Sequence, residues 1–256
     1  MASEHSLAGE SASSAGKAGS PAIHLFEVVL FLGLLFGLGP LLQATTGPSI
    51  LTLFQNPLFL CILWFGFLYA RGGRPLDIGL ARERNRAQPW SGGKLALVCV
   101  AVTLGFFAWN LFAEPVLDKM AVTHLGGDTL EQTRKYEFLQ GDPVALAQWL
   151  ALIWLFAALG EELFFRGFLQ SRMEQMLGGG TAASIAALVG QAVVFGFHHI
   201  EDGSVAVVGT AASGLFLGAC FLLTGRRLLP VIIAHGLWDS FGLTMLFLGV
   251  FSSSGS

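Results

Sequence analysis

Seven stretches of mostly apolar residues run along this chain: 23–43, 51–70, 94–113, 144–165, 182–200, 205–224 and 228–250. Each has close to the ~20 residues that a helix needs to cross the hydrocarbon of a bilayer. In hydrocarbon every backbone polar group must be satisfied within the protein, so such stretches form helices. The expected fold is therefore all-α: a polytopic integral membrane protein with about seven transmembrane helices. Composition agrees. Of 256 residues, 54% are hydrophobic and 12% charged, and mean hydropathy is +0.66, whereas a soluble domain carries about 25% charged residues. The formal net charge of −3 shows no basic excess, so the expected environment is a lipid bilayer and no nucleic-acid partner is implied.

Outside the spans the organisation is simple. Residues 1–22 are rich in Ser, Ala and Gly; they cannot bury enough apolar surface to fold and read as a disordered tail. Residues 251–256 read as a short second tail. Cys61, Cys99 and Cys220 lie singly in apolar runs and read as small buried hydrophobes. Positive charge orients the set. Arg71, Arg74, Arg82, Arg84, Arg86 and Lys94 lie between spans two and three, Arg166 and Arg172 after span four, and Arg226 and Arg227 between spans six and seven. All fall on one side, with Lys17, if the N-terminus is cytoplasmic. Residues 114–143 then form an external loop, in which 128–143 reads as an amphipathic surface helix capped by Asp128 or Thr129. The Gly- and Ala-rich loops of this short chain suggest a prokaryotic plasma membrane.

Ionisable groups inside a span cost roughly 2.5–3.5 kcal/mol each on insertion scales, so their positions are informative. Glu161 and Glu162 fall in span four with Arg166 directly after it, His198 and His199 near the end of span five, and His235 and Asp239 in span seven. The first three spans carry little beyond His24 and Glu27, which read as interfacial. The chain thus divides into scaffold spans at 23–143 and a functional core at 144–250. His235 and Asp239 are four apart and share a helix face, as do Glu162 and Arg166; the second pair reads as a structural ion pair. On an α-helix Glu161 points about 100° away from Glu162. Span four is expected to continue as helix to the Gly178–Gly180 turn. Glu161 and His199 stand at similar distances from that turn, so an antiparallel hairpin brings them to the same depth. His198 reads as a packing neighbour.

Two imidazoles and a carboxylate suit Zn²⁺, and a glutamate beside a bound water suits a general base. The ligand set would be His199, His235 and Asp239, with Glu161 as base or fourth ligand. Without metal, Glu161 and His199 can activate water while His235 and Asp239 hold an oxyanion. The spacing leaves both readings open. It also sets a geometric problem. His199 falls near the outer end of its span, yet His235 follows the cytoplasmic Arg227 by eight residues. Convergence needs tilt, a shortened span six, or a break near Pro230.

The three motifs occur in a known order. "EELFFR" (Glu161, Glu162, Arg166), "FGFHH" (Phe195, His199) and "HGLWD" (His235, Asp239) resemble the E-E-x-x-x-R, F-x-x-x-H and H-x-x-x-N/D motifs of the CAAX-protease and bacteriocin-processing (Abi) family. That family of intramembrane proteases includes the type II CAAX prenyl endopeptidases. The resemblance covers roughly residues 144–245. It implies hydrolysis of a peptide bond in a membrane protein or peptide, with Glu161 as the water-activating carboxylate and His199 as its partner. His235 and Asp239 become the metal-binding or oxyanion-stabilising pair. Asp239 stands where prenyl endopeptidases often carry Asn. Two alternatives are a non-catalytic bacteriocin-immunity or scaffold relative, against which the full motif set argues, and an ion-coupled transporter, whose inverted repeats are not evident.

Overall fold

A computed structural model describes residues 20–38, 40–41, 56–70, 90–130 and 134–250. The expected tails, apart from residues 20–22, and the arginines at 71, 74, 82, 84 and 86 lie outside the described residues.

The described residues are helical and contain no strand. Helix α1 (Pro21–Gly33) runs on as a π-helical turn to Leu38, and α2 spans Pro57–Ala70. Helices α3 (Gly92–Phe112) and α4 (Glu114–Leu125) follow each other across Ala113. Helix α5 (Pro143–Leu152) continues without a break into a π-helix, Ile153–Gln170, and then into α6 (Ser171–Met176). Helices α7 (Gly180–His198), α8 (Gly203–Leu223) and α9 (Leu228–Phe247) complete the bundle. Six of these helical runs are long and apolar enough to cross a bilayer, and α2 is a shorter apolar helix. The chain is thus a polytopic membrane protein.

Local chemistry sets the helix ends. Asp142 caps α5 by accepting from the Val144 and Ala145 N–H groups (2.9 and 3.0 Å), with Pro143 in the first turn, where its missing donor costs nothing. Gly178, Gly179 and Gly180 all take positive φ, which stops the long helix where the sequence places a breaker.

Two expectations need correction, and a third is only partly described. The loop expected at 114–143 is shorter, because α4 carries helix to Leu125, where Gly126 (φ 71°) ends it. Of the amphipathic helix expected over 128–143, residues 131–133 lie outside the described residues. Asp128 accepts from the Leu130 N–H (2.8 Å), the Arg134 N–H donates to the Leu130 carbonyl (3.0 Å), residues 134–135 are helical, and a 3₁₀ turn follows at Glu137–Leu139. Finally, Glu27 and His24 are buried rather than interfacial. Glu27 lies 3.0 Å from Arg172 Nε and 3.5 Å from His24 Nδ1, so the first helix is tied to α6 by an ion pair.

Packing follows membrane rules, in which small residues let helices close on one another. Gly196 and Gly214 sit in the α7–α8 seam; a Cβ on Gly196 would stand 2.6 Å from the Val207 carbonyl oxygen, and one on Gly214 3.1 Å from the Phe195 ring. Gln191 spans the seam and donates to the Gly214 carbonyl (2.9 Å). Phe168 packs against Phe31 and Trp64, and Phe165 against Phe195. Residues 160–170 are buried throughout, whereas none of 144–157 is buried and half of them are exposed. The long helix therefore enters the protein interior at the point where its charges begin, which removes most of the lipid penalty.

Candidate active site

Glu162 lies fully buried at the centre of the bundle. One of its oxygens, Oε1, accepts from Arg166 Nη1 (2.8 Å) and meets His235 Nδ1 (2.8 Å). The Arg166 guanidinium is itself fully buried and lies over the Phe195 ring at 4.6 Å. The Glu162–Arg166 pair is thus as the i,i+4 spacing predicts, and it extends to a third helix through His235.

The winding explains that extension. A π-helix bonds i to i+5 and turns less per residue than an α-helix. The two neighbouring carboxylates therefore diverge less than the expected 100°, and both reach one imidazole. His235 Nε2 is 3.9 Å from Glu161 Oε2 and 3.4 Å from Asp239 Oδ2. His235 is accordingly surrounded by Glu162 on Nδ1 and by Glu161 and Asp239 on Nε2.

His199 occupies a different position. Helix α7 ends at His198, and Ile200–Asp202 forms a 3₁₀ turn. With three residues per turn, positions i and i+3 eclipse, which stacks Asp202 on His199: Asp202 Oδ2 lies 3.3 Å from His199 Nδ1. Gly203 then takes φ 92°, a conformation that favours glycine, and the chain turns into α8. Asp202 is a partner that the motif spacing does not single out. The signal was the second acid of a Glu201–Asp202 pair, three residues after the histidine and just before a glycine. His199 Nε2 has no hydrogen-bond partner among the described residues. His198 packs its ring against Phe165 and His199.

The depth problem is solved without two of the expected devices. Helix α8 has a full 21 residues, and α9 runs straight through Pro230, which sits in its first turn. Both imidazoles pack edge-on against Phe195, with ring centroids 5.2 Å (His199) and 6.3 Å (His235) away. The imidazole within ion-pair distance of Glu161 is that of His235, at 3.9 Å, rather than the expected His199.

Two arrangements share one logic. Each imidazole has its Nδ1 against a carboxylate, which can only accept, so a proton on Nδ1 matches the geometry; at His199 this leaves Nε2 free, whereas at His235 carboxylates face Nε2 as well and favour the imidazolium. The groups grade from floor to mouth. Glu162 and Arg166 are sealed, Glu161 and His235 nearly so, and the side chains of His199 and Asp239 keep 21% and 26% of their exposure. Beside this centre, Trp154 covers Gly236, where a Cβ would meet the indole ring at 2.8 Å, and donates to Ser240 Oγ (3.1 Å). Such a set can take a proton from water, hold a developing negative charge and return a proton.

As these side chains stand, no group of three His, Cys, Asp or Glu residues among the described residues is placed to hold a metal ion. No curated protein and no solved structure matches the chain. Residues 143–241 match the model of the family described as type II CAAX prenyl endopeptidase Rce1-like. The matched span contains every residue of the three motifs, so the similarity to that family lies in the part of this membrane protein that holds the buried polar centre.

Proposed function

We propose that the chain is an intramembrane endopeptidase that hydrolyses a peptide bond of a membrane-associated protein or peptide, with residues 23–143 as the scaffold for a core at 144–250. The observation that carries this reading is the meeting of Glu161, His235 and Asp239 at a partly open position, with His199 beside them and both imidazoles oriented through Nδ1. A structural ion pair alone needs none of the groups at the mouth.

In this mechanism Glu161 takes a proton from water as the water oxygen attacks the scissile carbonyl carbon. His199, through Nε2, accepts a hydrogen bond from that water and orients it. His235, in its imidazolium form, and a protonated or water-bridged Asp239 face the oxyanion. Collapse breaks the C–N bond, and the proton held by Glu161 passes to the leaving amine. Glu162 and Arg166 hold His235 in place. Positioned general-base catalysis of this kind contributes about 10²–10⁴-fold.

Zinc is the ion that the same donors would take, with His199, His235, Asp239 and Glu161 as ligands. It would supply a polarised water and carbonyl. The donors do not fit that role as they stand, so the steps above use protein groups alone, and zinc dependence is put to experiment.

The test is cleavage of membrane peptides, prenylated and unprenylated, by purified protein. Glu161→Ala is the control, and chelator and metal analysis accompany it. Expected is turnover by the wild type that falls about 10²–10⁴-fold in a folded Glu161→Ala protein. Full turnover by that variant would falsify the assignment. Loss of activity on chelation, with recovery on adding Zn²⁺, would replace the metal-free mechanism by the metal-bound one; full activity in metal-free protein would retain it.

A further inference from the structure

We infer that the segment at 134–142 is a clamp that positions His199, acting from Lys135 through Asp202. The inference rests on the endopeptidase reading for its consequence in turnover, and on geometry alone for the contact.

Lys135 Nζ lies 2.5 Å from Asp202 Oδ1, while the other oxygen of the same carboxylate, Oδ2, faces His199 Nδ1 at 3.3 Å. One carboxylate therefore joins an ammonium from the loop to an imidazole of the centre. Lys135 comes from outside the matched region 143–241, and neither it nor Asp202 belongs to the three motifs.

The described residues at 126–130 and 134–142 are held at four further points. Gly127 lies so close to the start of α8 that a Cβ would stand 2.5 Å from Ser204 Oγ and 2.6 Å from Val205 Cγ2. Leu139 is fully buried. The Gly141 N–H donates to the Phe247 carbonyl at the far end of α9 (3.0 Å). Tyr136 packs edge-on against Trp149 of α5, at 5.2 Å between ring centroids. These residues thus touch α5, α8 and α9. Burial pushes the Tyr136 phenol up, and its charge environment includes Lys135, Asp202, Asp239 and Glu161. Asp202 holds the Lys135 ammonium above the usual lysine range.

The consequence for His199 is orientation. It is the first residue beyond α7, so its backbone is not locked by continuing helix on both sides as that of His235 is. A carboxylate on Nδ1 fixes both the ring rotation and the tautomer, and leaves Nε2 for the water. Lys135 neutralises that carboxylate and holds it in place. Lys135 and Asp202 touch neither water nor substrate in this scheme; both are positioning residues.

The test uses the full chain in detergent micelles with ¹⁵N-labelled histidine rings. Asp202→Ala is expected to shift His199 from the Nδ1-protonated toward the Nε2-protonated tautomer. It is expected to lower kcat roughly 10–100-fold, the range for removing the outer partner of a working histidine, with KM and melting temperature held. Asp202→Glu is expected to restore part of both signals. Lys135→Ala is expected to move the same resonances less and to lower kcat roughly two- to fivefold, as befits a half-exposed ion pair. Unchanged His199 resonances in folded Asp202→Ala overturn the inference, and so does a fall in kcat with the resonances unmoved. A wild type that cleaves no membrane peptide counts against the endopeptidase reading only, because the resonance shift is read without turnover.

Discussion

His235 and His199 are held by the same kind of contact in opposite surroundings. His235 sits within α9, and its Nδ1 meets a carboxylate that no solvent reaches and that is shared with a fully buried guanidinium. His199 sits at a corner between helices, and its Nδ1 meets Asp202, whose side chain keeps 19% of its exposure and whose other partner is a half-exposed lysine. Burial makes the difference. Around Glu162 an unpaired charge has nowhere to find water, so orientation of the imidazole and integrity of the fold are one property. Around Asp202 water can replace a lost partner, so orientation can fail while the fold survives.

The largest expected effect breaks the interior side. Arg166→Ala leaves Glu162 buried without its cation, and loss of one partner of a buried pair costs about 3–5 kcal/mol. Reduced yield and a lower unfolding midpoint in detergent are expected, with activity falling in step. A normally stable but inactive Arg166→Ala protein would erase the contrast and move Arg166 into the chemistry.

A smaller effect is expected beside the same imidazole. Gly236→Ala sets a methyl group against the Trp154 ring, at a separation no Cβ normally shows. Overpacking of this kind costs about 1–3 kcal/mol, read as a lower melting temperature. It is also expected to disturb the Trp154–Ser240 hydrogen bond, which tryptophan fluorescence of a Trp154-only variant would follow. No change in either measurement would mean that Trp154 can swing away freely.

The smallest effect concerns the corner. Raised ionic strength screens exposed pairs and leaves buried ones nearly untouched. Salt is expected to lower wild-type kcat by roughly two- to fivefold, through weakening of Lys135–Asp202. Lys135→Ala, already lacking the pair, is expected to respond less. Equal salt dependence in both proteins would show that the clamp contributes nothing to turnover.

The sequence made some of this legible and not the rest. Glu162 and Arg166 stand out because a polar residue within an apolar run is conspicuous, and i,i+4 spacing states the pairing locally. The continuation of span four to the glycine turn was readable for the same reason. The Glu162–His235 contact was not readable, since it depends on the register of two distant helices and on π-winding that composition does not announce. Asp202 was hidden among ordinary loop acids. Glu27 looked interfacial because it lies near the start of its span, while the partner that buries it, Arg172, is 145 residues later.

The shared carboxylate of Glu162 has a consequence for how a population of these molecules behaves. Its engagement with Arg166 and His235 couples the assembly of the bundle to the setting of His235, so on that side a folded molecule is a competent one. The corner gives no such guarantee. Warming is then expected to produce first a species that keeps its helices and its buried ion pair but has lost the aim of His199. Inactivation in such a protein precedes melting, and the interval between the two measures how loosely the corner is tied.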